Sequence, residues 1–149
     1  MRRVPAIILP LASVLTLMAC SEPAETPLPA PAPAPAAVLG GVNLNEPLRA
    51  IGTEPFWGVE MSGDGMIYSG VDRPEQRAAK PEPVIQGTTA VYTGTTAAGS
   101  VLVVTLIATE CSDGMSDRVY PLTARVEIGE ETLNGCAASV TFLNTAPAP

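Results

Sequence analysis

Two cysteines bracket the most regular stretch of this chain, and the staple they can form limits what the rest can fold into. Glu110–Cys136 reads ECSDGMSDRVYPLTARVEIGEETLNGC. It opens with Cys111 in a tight turn rich in Ser, Asp and Gly, residues that cap their own backbone. Leu122, Ala124, Val126 and Ile128 then alternate with Thr123, Arg125 and Glu127, the period-two signature of a half-buried strand. Gly129-Glu130-Glu131 turns the chain back into Thr132–Cys136. A bond between Cys111 and Cys136 staples this hairpin and gives the remaining strands a frame for their register.

Whether that bond forms depends on the compartment, and the N-terminus speaks to it. Arg2 and Arg3 precede an apolar run from Val4 to Leu17, with small residues before Cys20. That order reads as an export signal, and the run is shorter than the roughly 20 residues that span a bilayer. Leu17-Met18-Ala19-Cys20 resembles the bacterial lipobox, in which the cysteine becomes the acylated N-terminus after cleavage. Ser21 follows, where an aspartate would favour inner-membrane retention, so the expected address is the outer membrane, facing the periplasm. Cys20 is then lipidated, and Cys111 and Cys136 are left to pair in an oxidising space.

Removing Arg2 and Arg3 with the leader leaves six basic against fifteen acidic residues, a mature charge of −9. Such a surface disfavours nucleic acid or anionic lipid as a partner. The chain has no histidine, which removes most zinc sites, most hydrolytic triads and the easiest general base at neutral pH. No cofactor is expected.

Four segments follow: a signal peptide over 1–19, a lipidated Cys20 with a Pro/Ala-rich linker over 20–45, a β domain over 46–144, and a disordered tail over 145–149. Alternating Pro and Ala favour an extended spacer over a packed core. Inside the domain no long stretch carries a helical apolar period. Short β-type runs are read at Leu48–Ile51, Phe56–Met61, Met66–Ser69, Val84–Gln86 and Thr89–Thr93, separated by Gly, Pro, Asp and Asn. Ser100–Thr109 is apolar on both faces and reads as a central strand, and Ser139–Leu143 reads as a last one. Val71–Pro83, with three prolines and half of the mature basic residues, reads as a helical turn or an exposed loop. The expected fold is mainly β: a small antiparallel β-barrel or curled sheet of about eight strands with one disulfide.

Two blocks hold the candidate site. In Gly52-Thr53-Glu54-Pro55-Phe56-Trp57, adjacent aromatics must point to opposite sheet faces, and Trp57 shares its face with Val59 and Met61, toward the core. Glu54 stands at the strand start as a potential acid or acceptor. In the second block Asp113, Asp117 and Arg118 crowd a turn beside Cys111, without the alternating oxygen pattern of an EF-hand loop. A half-buried carboxylate is costly unless paired, so Glu54 and Arg118 are expected to meet and join the blocks beside Trp57.

The blocks GTEPFW and C-x-DGMSDR-x-YP, closed by Gly135-Cys136, resemble an uncharacterised family of bacterial envelope lipoproteins over about Arg49–Cys136. The resemblance implies a small secreted β domain with cysteines at 111 and 136, and it implies no activity. In architecture alone the chain is similar to periplasmic barrel inhibitors of lysozyme, META-type heat-shock domains and calycin barrels, a likeness that does not carry function. The expected role is a non-catalytic binding or inhibitor-like accessory module of the envelope, held to the membrane by its lipid anchor and meeting an envelope protein or a small ligand. The alternatives are a carboxylate-based hydrolase of envelope glycans, using Glu54 with Asp113 or Asp117, and a purely structural envelope component.

Overall fold

Alternation of apolar and polar side chains builds this fold strand by strand. The computed structural model describes residues 37–145. The signal segment 1–19, Cys20, the linker up to residue 36 and the tail beyond Thr145 lie outside the described residues.

Nine strands form one antiparallel sheet. In chain order they are β3 (Leu48–Thr53), β4 (Phe56–Ser62), β5 (Gly65–Gly70), β6 (Gln76–Ala79), β7 (Val84–Gln86), β8 (Thr89–Thr95), β9 (Val101–Ile107), β12 (Leu122–Ile128) and β13 (Glu131–Ser139). Across the sheet the order is β6-β5-β4-β3-β13-β12-β9-β8-β7. The sheet curls into a half-barrel whose two flanks touch through one bridge, Ala78 to Thr96. Two small ribbons complete the β structure: β1 (Val38–Leu39) with β2 (Val42–Asn43), and β10 (Cys111–Ser112) with β11 (Val119–Tyr120).

The concave face carries the main core. Trp57, Val59 and Met61 point inward together, as their alternation requires, and so do Leu102, Val104 and Leu106, and Leu122, Ala124, Val126 and Ile128. A second, smaller core lies on the other face of β13. There Tyr120, Cys136 and Ala138 are buried, with Ile51, Cys111, Phe142 and Leu143 packed against them.

Several expectations need correction. Composition extends the Pro/Ala-rich linker over 20–45, yet residues 38–43 form a hairpin whose Leu39 and Val42, with the following Leu44, are buried in the main core. The turn is Gly40-Gly41, with φ of 55° and 81°, the left-handed pair that a two-residue type I′ turn demands and glycine supplies. Val71–Pro83 contains the edge strand β6. Its charges and bracketing prolines disguised it, and those are the features that keep an edge from pairing further. Ser100–Thr109 is interior in the sheet but apolar-buried on one face alone, for Val101 is exposed and Val103 half-buried. Nothing among the described residues packs over that outer face densely enough to bury it. Ser139–Leu143 ends in a helix, α1 (Val140–Thr145). Ser139 Oγ accepts the Phe142 N–H at 3.1 Å, the N-cap contact that starts a helix, and the apolar Val140 and Phe142 mimicked a strand.

One core group carries a cost. Tyr92 is fully buried and its hydroxyl has no hydrogen-bond partner among the described residues, while Lys80 Nζ stands 5.7 Å from the ring centroid. Burial, with Glu82 adding to it, pushes the phenol up to about 12. The folded value lies above the ordinary 10.0, so its stabilising contribution is complete below pH 10 and is lost as pH rises from 10 to 12. Tyr92→Phe is expected to stabilise the protein by about 1 kcal/mol at neutral pH. It should also shift base-induced unfolding upward, both readable in melts at pH 7 and between pH 10 and 12. A less stable Tyr92→Phe would mean that the hydroxyl has a partner.

Candidate functional site

Cys111–Cys136 is a disulfide with a Cα–Cα distance of 5.5 Å. Cys136 faces outward from β13 into the second core, so the bond clamps the β10–β11 ribbon, and the loop between its strands, onto the outer face of the sheet. That loop, Asp113–Arg118, organises itself around one carboxylate. Asp113 Oδ1 accepts the Met115 and Ser116 N–H groups at 3.0 and 2.8 Å. Asp113 Oδ2 accepts the Ser116 and Tyr120 hydroxyls at 2.9 and 3.0 Å. The Met115 and Ser116 N–H groups foremost, then the Ser116 and Tyr120 hydroxyls, hold this carboxyl down at about 2. Tyr120 is pushed the other way, by burial first and then by the same bond to Asp113.

The folded value of Asp113 lies below the ordinary 3.8, so the loop's stabilisation is present above pH 4 and is lost as pH falls from about 4 to about 2. Asp113→Asn keeps one acceptor and loses the charge and the other. Discounted for solvent exposure, the loss at pH 7 is expected to be about 1 kcal/mol. The variant's melting temperature should also stay flatter than the parent's between pH 4 and pH 2. Parallel acid profiles for the two proteins would show that Asp113 is not the acid-sensitive group.

The two sequence blocks do meet, but not through the expected pair. Thr53 Oγ1 donates to the Asp113 carbonyl oxygen at 3.1 Å, tying the end of β3 to the loop. Glu54 is exposed, with its Glu54-Pro55 peptide cis in the β3–β4 connection. Glu54 and Arg118 form no ion pair; those among the described residues are Arg73–Glu131, Arg77–Glu75 and Arg125–Glu127. Arg118 is half-buried and engaged within the molecule; its backbone N–H donates to Ser116 Oγ at 3.3 Å and its charge acts on Tyr120. Asp117 is exposed. Glu54 and Asp113 border a hollow of about 480 Å³ floored by Ile51 and Gly135. No group of three or more His, Cys, Asp or Glu side chains that could hold a metal occurs among the described residues.

A larger groove, about 540 Å³, lies on the other side of the Thr53–Asp113 contact. Strand register builds it. Ile51, Gly58 and Ser69 stand side by side across β3, β4 and β5 on the outer face. Gly58 has no side chain, so this row is low and becomes the floor. Phe56 rises from the start of β4, and Val71, whose N–H donates to the Phe56 carbonyl oxygen, follows β5. Met115 leans in from the clamped loop, and Arg49 closes the other end on β3. Phe56, Val71 and Met115 are 55, 69 and 67% exposed, so three separate elements place large apolar side chains around one open groove. Sequence reading named Phe56 as the outward partner of Trp57 but missed Arg49, Gly58, Val71 and Met115.

No protein-family model, curated protein or solved structure matches this chain.

Proposed function

We propose that the protein is a lipid-anchored binding module of a bacterial outer membrane, facing the periplasm and holding a ligand or partner in the groove over Gly58. The observation that carries this reading is the meeting of Phe56, Val71 and Met115 around that groove. Exposed apolar side chains scattered singly on a surface need no explanation, but a convergent set around a concave floor marks a binding surface. A chain with so acidic a surface gains nothing in solubility from such a set. The hydrolase alternative pairs Glu54 with Asp113 or Asp117; the two oxygens of Asp113 are already taken by the loop's own donors, and Glu54 and Asp117 are exposed. The anchor rests on the lipobox resemblance at Cys20, and the envelope setting on the GTEPFW and DGMSDR blocks.

Both parts can be tested in cells. A photoreactive side chain at position 56 or 115 should give a defined adduct, and one at the equally exposed Val84 should not. Equal labelling at all three positions would contradict the groove. Cys20→Ser should abolish incorporation of radioactive palmitate, and continued labelling would remove the anchor from the proposal.

A further inference from the structure

Building on the proposed groove, we infer that its ligand is a fatty acid: an alkyl chain lying over Gly58 among Phe56, Val71 and Met115, with its carboxylate on Arg49. The first observation is one of charge. Among the described residues Arg73, Arg77 and Arg125 are taken by acidic partners, Lys80 lies over Tyr92, and Arg118 is engaged within the molecule. Arg49 has no hydrogen bond, ion pair or ring contact with any described residue, and it stands at the end of the apolar groove. Glu60 faces it in the β3–β4 register without forming an ion pair. A lone cation beside an apolar floor, in a protein of mature charge −9, is complementary to an apolar molecule with one negative end.

The second observation concerns what the groove lacks. Its floor is the face of β3, β4 and β5, each hydrogen-bonded to a strand on both sides. Over Gly58 itself both flanking strands are paired, so a peptide crossing the floor finds backbone partners only at Gly52, Thr53, Ser69 and Gly70, beyond the ends of the β13 and β6 pairing. A sugar fares no better, because Thr53 Oγ1 and both Asp113 oxygens are already committed to the loop. Ser69, Arg49 and the indole N–H of Trp57, unpartnered among the described residues, remain as polar groups along the groove. An alkyl chain has no hydrogen bonds to lose. From Arg49 to the level of Thr53 and Phe56 is four residues along β3, about 13 Å, room for a medium-length chain. A guanidinium matches a carboxylate with two parallel hydrogen bonds, and Glu60 nearby penalises a doubly charged head such as an alkyl phosphate.

The test is calorimetric titration of the mature chain carrying Cys20→Ser, so that no acyl group of its own competes. Dodecanoate, dodecyl phosphate and dodecyl maltoside are compared below their micellar concentrations. Dodecanoate should bind most tightly and the neutral maltoside at least tenfold more weakly. Arg49→Gln should weaken dodecanoate by about tenfold to a hundredfold and leave the maltoside unchanged, while Glu60→Gln should strengthen it. Gly58→Ala should weaken binding with the fold intact, because a Cβ there raises the floor and meets nothing nearer than 3.6 Å. Equal binding of all three amphiphiles, tighter binding of the phosphate, or indifference to Arg49→Gln would each overturn the assignment. A protein adduct at position 56, with no amphiphile bound, would overturn it too and leave the groove's binding role standing.

Discussion

Gly135→Ala is expected to leave the protein unfolded, or melting far below the parent, although it adds a single methyl group. A Cβ at Gly135 would stand 1.9 Å from the Ile51 carbonyl oxygen and 2.9 Å from Trp57 Cζ2. The first of these is backbone, in a strand hydrogen-bonded to β13 itself, so no rotamer change relieves it. Separating β3 from β13 would, at the cost of the pairing in the middle of the sheet. Overpacking that cannot relax costs about 3 kcal/mol or more, a large share of a small domain's stability. Gly52 is different. The three nearest atoms to a Cβ there all belong to the Trp57 indole, the closest at 2.0 Å. Trp57, Gly52 and Gly135 therefore form one slot, with the indole laid across two bare strand positions. Trp57→Ala should cost about 3–5 kcal/mol. Adding Gly52→Ala to Trp57→Ala should then cost little, since its obstacle has gone, whereas Gly135→Ala should remain severe in either background. Melts of the single and double variants decide the matter, and a Gly52→Ala penalty that survives loss of the indole would refute the slot.

That slot also marks the boundary of what could be read from residues in order. Trp57, Val59 and Met61 were legible because a strand's period is two and the pattern is local. Gly52 and Gly135 carried no local signal, for the reason they are glycine is a side chain on another strand. The same boundary runs through the site. Pairing of Cys111 with Cys136 was readable from export and elimination. Asp113 stood out as part of a self-capping turn, but whether it serves the loop or a ligand depended on where Tyr120 and Ser116 point. Glu54 attracted attention as a charge beside two aromatics, while its neighbour Thr53 makes the contact. Phe56, Val71 and Met115 are distant in sequence and are brought together by strand register and the disulfide, neither of which leaves a periodic trace. Val38–Leu44 shows a misreading of another kind. Its Gly-Gly turn between apolar residues is a hairpin signal, and the Pro/Ala composition upstream drowned it.

Removing the disulfide should produce the second large effect, and it should reach the groove as well as the stability. Cys111 and Cys136 are separated by 25 residues, and closing a loop of that length stabilises by about 3 kcal/mol on the chain-entropy account. A Cys111→Ala, Cys136→Ala double variant should lose about that much, and no free thiol should be found in the denatured, unreduced parent. The clamped ribbon is short: β10 and β11 contribute two residues each, and its further ties include Tyr120 in the second core, the Thr53–Asp113 bond and Arg118, which is engaged within the molecule. Without the sulfur bridge the loop should open locally before the half-barrel unfolds, because the main core lies on the other face of the sheet. Hydrogen exchange can separate these events. Amides of Met115 and Ser116, protected by Asp113 in the parent, should exchange quickly in the double variant, while those of β9 and β12 speed up only by the global stability lost. Since Met115 and Asp113 form one wall of the groove, photo-adducts at position 115 should vanish in the same variant while those at position 56 weaken. A double variant with unchanged protection at Met115 and Ser116 would mean that the loop's other bonds hold it and that the disulfide merely restrains the unfolded chain.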